Sequence, residues 1–267
     1  MSPARVRGVA TAALLLLTAA TGAIDAVSYL SLDRVFTGNM TGNLLFLGFA
    51  LTGVEGIPVL NNSVALLGFV LGAVVGGRVV PRGTASVLPR ASIWTLVSGT
   101  AVGSALCVIW AVTTELDLVG MLVVTGLLAA MMGAQVAAVK PIGNADITTV
   151  VVTSTLANLA RDSRLAGAPR GANARWVDRL LAVVAMGAGA AAGAAVIRWL
   201  GGAAALGLGL GLVALAVVAL AVLRRTQRRV AEAADAAEGS PVRGEERGPG
   251  RSGVGAVSGP APSTAQR

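Results

Sequence analysis

The stretch Val35-Phe-Thr-Gly-Asn-Met-Thr-Gly-Asn-Leu-Leu-Phe-Leu-Gly-Phe-Ala-Leu-Thr-Gly-Val54 decides the topology of this chain. It is apolar enough to enter a bilayer, yet two Gly, two Asn and two Thr crowd into Thr37 to Asn43. Those residues disfavour a continuous helix, whereas Leu44 to Leu51 propagates one readily, and Asn and Thr are good N-caps. The reading is a half-helix whose free N–H groups and positive dipole end lie at membrane depth, suited to an anion, a carboxylate or a polar solute. Irregular backbone at that depth is tolerated only beside a cavity or inside protein. The alternative is an interfacial loop that caps an ordinary helix.

The rest of the chain sets the context. Of 267 residues, 55% are hydrophobic and 13% charged, with a mean hydropathy of +0.76, against roughly 25% charge in a soluble domain. A soluble enzyme is excluded. Aromatics are only 3% while Gly contributes 35 residues, the usage of closely packed membrane helices. Six segments reach the roughly 20 apolar residues that span a bilayer: Val9 to Leu32, Val59 to Val80, Ala91 to Val112, Leu118 to Val139, Asp178 to Trp199 and Gly202 to Leu223. Ile147 to Ala160 is a second interrupted stretch. Arg5 and Arg7 before an apolar core resemble a signal peptide, but apolar character continues through Leu32 and another membrane segment follows, so an uncleaved first helix is expected.

Short cytoplasmic loops are enriched in Lys and Arg. Basic residues cluster at Arg5 and Arg7, at Arg78, Arg82 and Arg90, at Arg161 to Arg179, and at Arg224 to Arg229, while the loop with Glu115 and Asp117 has none. Placing all four clusters inside requires that neither interrupted stretch crosses, which gives six spans and both termini cytoplasmic. Counting both as spans gives eight and puts Arg78, Arg82 and Arg90 outside. The fold class is therefore an all-α polytopic membrane protein of six spans with two short interrupted or re-entrant helices. Residues 1–223 form the bundle and 224–267 a disordered basic cytoplasmic tail.

An inverted internal repeat is expected, residues 9–112 against 118–223. Gly22-Ala-Ile-Asp25-Ala26 lies over Gly133-Ala-Gln135-Val136-Ala137, and Asn39 to Leu44 over Val151 to Leu156. Three crossings per half would bring the second half in from the opposite side, as in secondary transporters with sites built from broken helices. The candidate binding residues are Asp25, Asn39, Thr41, Gly42 and Asn43 in the first half and Gln135, Thr153 and Thr155 in the second, with Asn158 as a further polar group. An acid inside a span is costly and marks a proton relay, cation relay or solute contact; helix termination near Asp25, or pairing with Arg34, are the bland readings. Gly68/Gly72/Gly76, Gly99/Gly103, Gly189/Gly193 and Gly207/Gly211 repeat every fourth residue and are read as helix packing or a homo-oligomer interface.

No histidine is present, and the lone Cys107 sits in an apolar run where a thiolate would be inert. No enzyme activity, cofactor or metal is expected, and the Arg distribution marks membrane orientation and not nucleic-acid binding.

At Asp25-Ala-Val-Ser-Tyr-Leu30 and at Val35 to Asn43 the chain is similar to the YoaK-like family of bacterial multi-span membrane proteins, a domain family of unknown function. The likeness runs roughly from Ala10 to Leu223 and is most specific at Asn39-Met-Thr-Gly-Asn43. The family's second pattern falls on Gly133 to Ala137 and Thr149 to Leu156, departing at Val136, where Asn is usual, and at Ser154, where Gly is usual. The resemblance implies a multi-span inner-membrane protein and supplies no substrate. The expected function is a transporter or channel for a small polar solute or anion, with a non-transporting scaffold or sensor as the alternative.

Overall fold

The computed structural model describes residues 3–83, 87–113, 115–142, 152–169 and 176–238, and every regular element among them is helical. The helices are α1 (Pro3–Ser31), α2 (Met40–Leu51), α3 (Val59–Val79), α4 (Arg90–Thr113), α5 (Leu118–Val139), α6 (Val152–Arg161), α7 (Trp176–Leu200) and α8 (Gly202–Glu238). All but α2 and α6 are long and apolar enough to span a membrane. Local chemistry sets their ends. The Asp117 carboxylate accepts the Gly120 N–H at 2.8 Å to start α5, and α3 stops before Pro81, with Val80 extended as a residue preceding proline tends to be. Gly201, at φ +87°, turns α7 directly into α8. The last helix extends well beyond its expected end at Leu223; the tail positions 239–267, Ile147 to Val151, and Arg170 and Arg175 lie outside the described residues.

The core gathers on α1, whose Leu17, Ile24 and Val27 pack with Leu128 and Met132 of α5 and Leu206 and Val213 of α8. Leu67, Leu71 and Val75 of α3 and Leu215 and Val218 of α8 point outward and exposed, as a lipid-facing surface requires. Because lipid tails are as apolar as leucine, close backbone approach drives helix association instead. Gly189 lies against the Ala19 carbonyl, Gly193 against Ala23, and Gly22 against Met186 and Ala190. On the other side of the bundle Gly72 lies against the Ala130 carbonyl, Gly76 against Ala134, and Gly133 against Phe69 and Ala73.

Packing directions fix the number of crossings. Gly103 meets Leu210, the Cys107 Sγ–H reaches the Ala203 carbonyl, and Trp110 meets Gly202, so α4 and α8 are antiparallel. Had α6 crossed, they would be an even number of crossings apart and parallel. The contacts of α1 and α7 advance together from Ala19 with Gly189 to Ala23 with Gly193, so that pair is parallel, which requires that α2 does not cross either. Six spans follow, and the eight-span alternative falls. The start of α1, the end of α3, the start of α4, the end of α5, the start of α7 and the end of α8 share one face, which holds the described members of the four arginine clusters; Glu55, Glu115 and Asp117 lie on the other.

Candidate functional site

After α1 ends at Ser31, Asp33 and Arg34 adopt the left-handed conformation, at φ +64° and +55°. This bend sends the chain back alongside α1. The Asn61 side chain of α3 donates to the Leu32 carbonyl at 2.6 Å and holds the bend against the bundle. Asp25 lies six residues before the end of α1, a depth of about 9 Å at 1.5 Å per residue, and the returning turn reaches it. One carboxylate oxygen, Oδ1, accepts the Gly38 N–H at 2.7 Å and the Thr37 N–H at 3.1 Å, with the Thr37 hydroxyl at 3.5 Å. Gly38 is required by space as well: a Cβ there would sit 2.9 Å from Thr21 Cγ2 and 3.2 Å from the Asp25 carboxylate.

The N–H groups of Thr37 and Gly38, just before α2, are therefore engaged by the protein's own acid. Asn43, fully buried, brackets Phe36 from α2: its Oδ1 accepts the Phe36 N–H at 2.9 Å and its Nδ2 donates to the Phe36 carbonyl at 2.6 Å. Phe36 in turn stacks on Tyr29 at 4.9 Å. Asn39 stands at the N-cap position of α2 but makes no side-chain cap bond, and Thr41 is exposed. Gly42 packs against the Phe36 ring. Arg34 does not serve as the partner of Asp25; the carboxylate is answered by backbone.

The second carboxylate oxygen, Asp25 Oδ2, is buried and has no hydrogen-bond partner among the described residues. Asp25 is among the residues that line a groove of about 480 Å³ between α1, α7 and the turn, together with Tyr29, Phe36, Asn39, Gly22 and Ala190. Asp25 itself is 6% exposed.

Gln135 is buried on α5 and donates to the Thr21 hydroxyl at 3.3 Å, one turn of α1 below Asp25; its Oε1 has no partner among the described residues. The second-half residues Thr153 and Thr155 are placed elsewhere. They belong to α6, which packs on α7 at the arginine-rich face, with Thr153 exposed and Thr155 buried. Arg179 of α7 anchors that helix, donating to Asp162 at 2.8 Å and to the Asn158 carbonyl at 3.3 Å. That hydrogen bond, with Arg161 beside it, holds the Asp162 carboxyl below the usual carboxylate range. The two interrupted segments thus lie at opposite faces, α2 packed on α3 and α6 on α7.

Thr18, Thr21 and Ser28 were not among the sequence candidates. With Asp25 they recur at intervals of three and four along one face of α1, and all four are buried. That spacing was available in the sequence as a polar stripe on an apolar helix. Thr18 and Thr21 return their hydroxyls to the Leu14 and Leu17 carbonyls, which lets them lie in an apolar setting, and Thr21 also accepts from Gln135.

Residues 13–219 match the DUF1275 family, described as a protein of unknown function. The UPF0700 transmembrane protein YoaK of Bacillus subtilis (strain 168) is 35% identical over 149 residues, which cover 56% of this chain and 64% of that relative. No solved structure matches the chain.

Proposed function

We propose a transport function for this chain, which belongs to the DUF1275 family: it would move a small polar solute across the plasma membrane, with Asp25 as the coupling or contact group. The observation that carries this reading is a buried carboxylate at the wall of a groove, with one oxygen, Oδ2, left without a partner among the described residues. An ionisable group inside a span is expensive and is retained where it meets a solute, a cation or a proton. The polar stripe of α1 and its bond to Gln135 support it by extending polar surface below Asp25 into the bundle. Because Thr37 and Gly38 already give their N–H groups to Asp25, the reading narrows from an anion to a neutral or cationic solute.

Residue-matched packing supports reading the two halves as an inverted repeat. The pairs Ala19 with Gly189 and Ala23 with Gly193 have their counterparts in Ala130 with Gly72 and Ala134 with Gly76. Gly22 and Gly133 each meet the partner helix in the equivalent place. The three crossings between α1 and α5 make the two sets opposite in direction, the design in which alternating access arises by exchange of the halves. On this reading the arginine-rich face is cytoplasmic by the positive-inside rule, both termini with it, and the chemistry is passage without catalysis.

The test is flux in sealed vesicles across a panel of neutral and cationic solutes, comparing wild type with Asp25→Asn and Asn39→Ala. Flux lost in Asp25→Asn and weakened in Asn39→Ala, with both variants inserted normally, is expected. Flux of no solute depending on either residue would replace the transporter with a scaffold or sensor.

A further inference from the structure

A second hollow lies apart from the Asp25 groove. It has a volume of about 540 Å³ and runs between α3 and α4 over the surface of α5, with Val75, Val79, Trp94, Ser98 and Val102 along its sides and Met131 at its floor. Its origin is a departure from the matching of the two halves. In the second half α7 packs along α8, whereas in the first α3 and α4 barely touch. Between Trp94 and Val102 the cleft extends about 12 Å along α4 at 1.5 Å per residue, close to the roughly 15 Å depth of one leaflet's hydrocarbon.

The mouth of this apolar cleft is cationic. Arg90 stands one turn before Trp94 on the same face of α4, Arg78 three residues beyond Val75 on α3, and Arg82 in the loop that joins them; all three are exposed. None forms a salt bridge among the described residues. Arg224 of α8 is near enough to Arg90 for their charges to interact, and its Nε is buried without a partner among the described residues. Three exposed cations, Arg78, Arg82 and Arg90, with no acid between them in the chain call for an anion at the membrane surface, and the cleft behind them calls for a hydrocarbon chain.

We propose that this cleft binds an anionic phospholipid, one acyl chain lying between α3 and α4 and the phosphate held by Arg78 and Arg90. A second copy of the chain is the poorer occupant, because an isologous contact through this face would set two arginine clusters against each other. Basic pockets between membrane helices are suited to anionic headgroups.

Native mass spectrometry of the protein released from mixed phosphatidylglycerol and phosphatidylcholine bilayers tests this. Wild type is expected to retain one phosphatidylglycerol in preference to phosphatidylcholine. Arg78→Gln and Arg90→Gln should each lower that preference about fivefold. Ser98→Leu, which fills the cleft from its lipid-exposed side and leaves the arginines in place, should abolish retention. Equal retention of the two lipids would overturn the proposal, as would a preference that survives Ser98→Leu or dimers cross-linked through Cys at position 94.

Discussion

Asp25 divides its two oxygens between structure and groove. Oδ1 holds the returning turn through Thr37 and Gly38, and Oδ2 is left without a partner among the described residues. The two roles separate by substitution. Asp25→Ala removes the acceptor from two backbone donors, each costing about 1–3 kcal/mol when buried without a partner, so a large fall in the detergent melting temperature is expected. Asp25→Asn keeps an oxygen for those donors and loses only the charge, so it should melt close to wild type while flux disappears. Equal destabilisation by Asn and Ala would remove the turn-holding role. Asn43 makes a related point: it stood among the solute-binding candidates, yet both ends of its amide are spent on Phe36. Asn43→Leu removes both hydrogen bonds and leaves the Phe36 N–H and carbonyl unanswered, so a clear fall in melting temperature is expected. Sequence marked the acid in its apolar surroundings, but which backbone would answer it depended on a bend through two left-handed residues, Asp33, a type that tolerates this conformation, and Arg34, a type that rarely adopts it.

Among the helices, α1 with α7 and α3 with α5 are held by backbones in contact, so their glycines act as gaps and not as flexible points. A side chain at Gly22 or Gly133 would strike the carbonyl of Met186 or Phe69. Overpacking of this kind costs about 1–3 kcal/mol and sometimes more; Gly22→Leu and Gly133→Leu should cut folded yield by comparable amounts, measured by size-exclusion chromatography, while Gly48→Leu, facing open space on α2, should not. The fourth-residue spacing of Gly72/Gly76 and Gly189/Gly193 was legible as packing, but their partners Ala130, Ala134, Ala19 and Ala23 were not, because the interlocking pairs come from opposite halves of the chain. At the arginine-rich face α6 depends on Arg179 and Asp162, whose side chains are 14% and 17% exposed. Since the folded state holds the Asp162 carboxyl below its ordinary value, the contact is complete above the ordinary carboxylate range and is lost as pH falls through the lowered value. A spin label attached at neutral pH to Ser154→Cys on a Cys107→Ala background should gain mobility only in that acid range, and Asp162→Asn should remove the pH dependence.

For the whole molecule, six crossings imply a definite map. On a Cys107→Ala background, single cysteines at Glu55 and Glu115 should react with an impermeant reagent from outside the cell, and one at Arg82 should not; reaction at Arg82 in place of Glu55 and Glu115 would overturn the assignment of the arginine face to the cytoplasm, and reaction at Arg82 and Glu55 together would contradict the packing directions. The six spans were readable beforehand because hydrophobic length is a local property that a bilayer reads segment by segment. Their edges moved by only a few residues except in α8, where the Arg-rich stretch after Leu223 continues as helix: charge ends a span without ending a helix. The status of the two short segments could be argued from arginine counting but was decided by the antiparallel course of α4 and α8, a relation between residues far apart in the chain. What the sequence determined by itself was thus the solvent, the number of long helices and the identity of the one acid set deep in the first of them. Only the tertiary structure decided that the Thr37–Gly38 turn caps that acid instead of awaiting a solute, that Thr153 and Thr155 lie at the opposite face, and that α3 and α4 stand apart. Each of these depends on how the helices close against one another, and that energy belongs to contacts between segments, not to any segment alone.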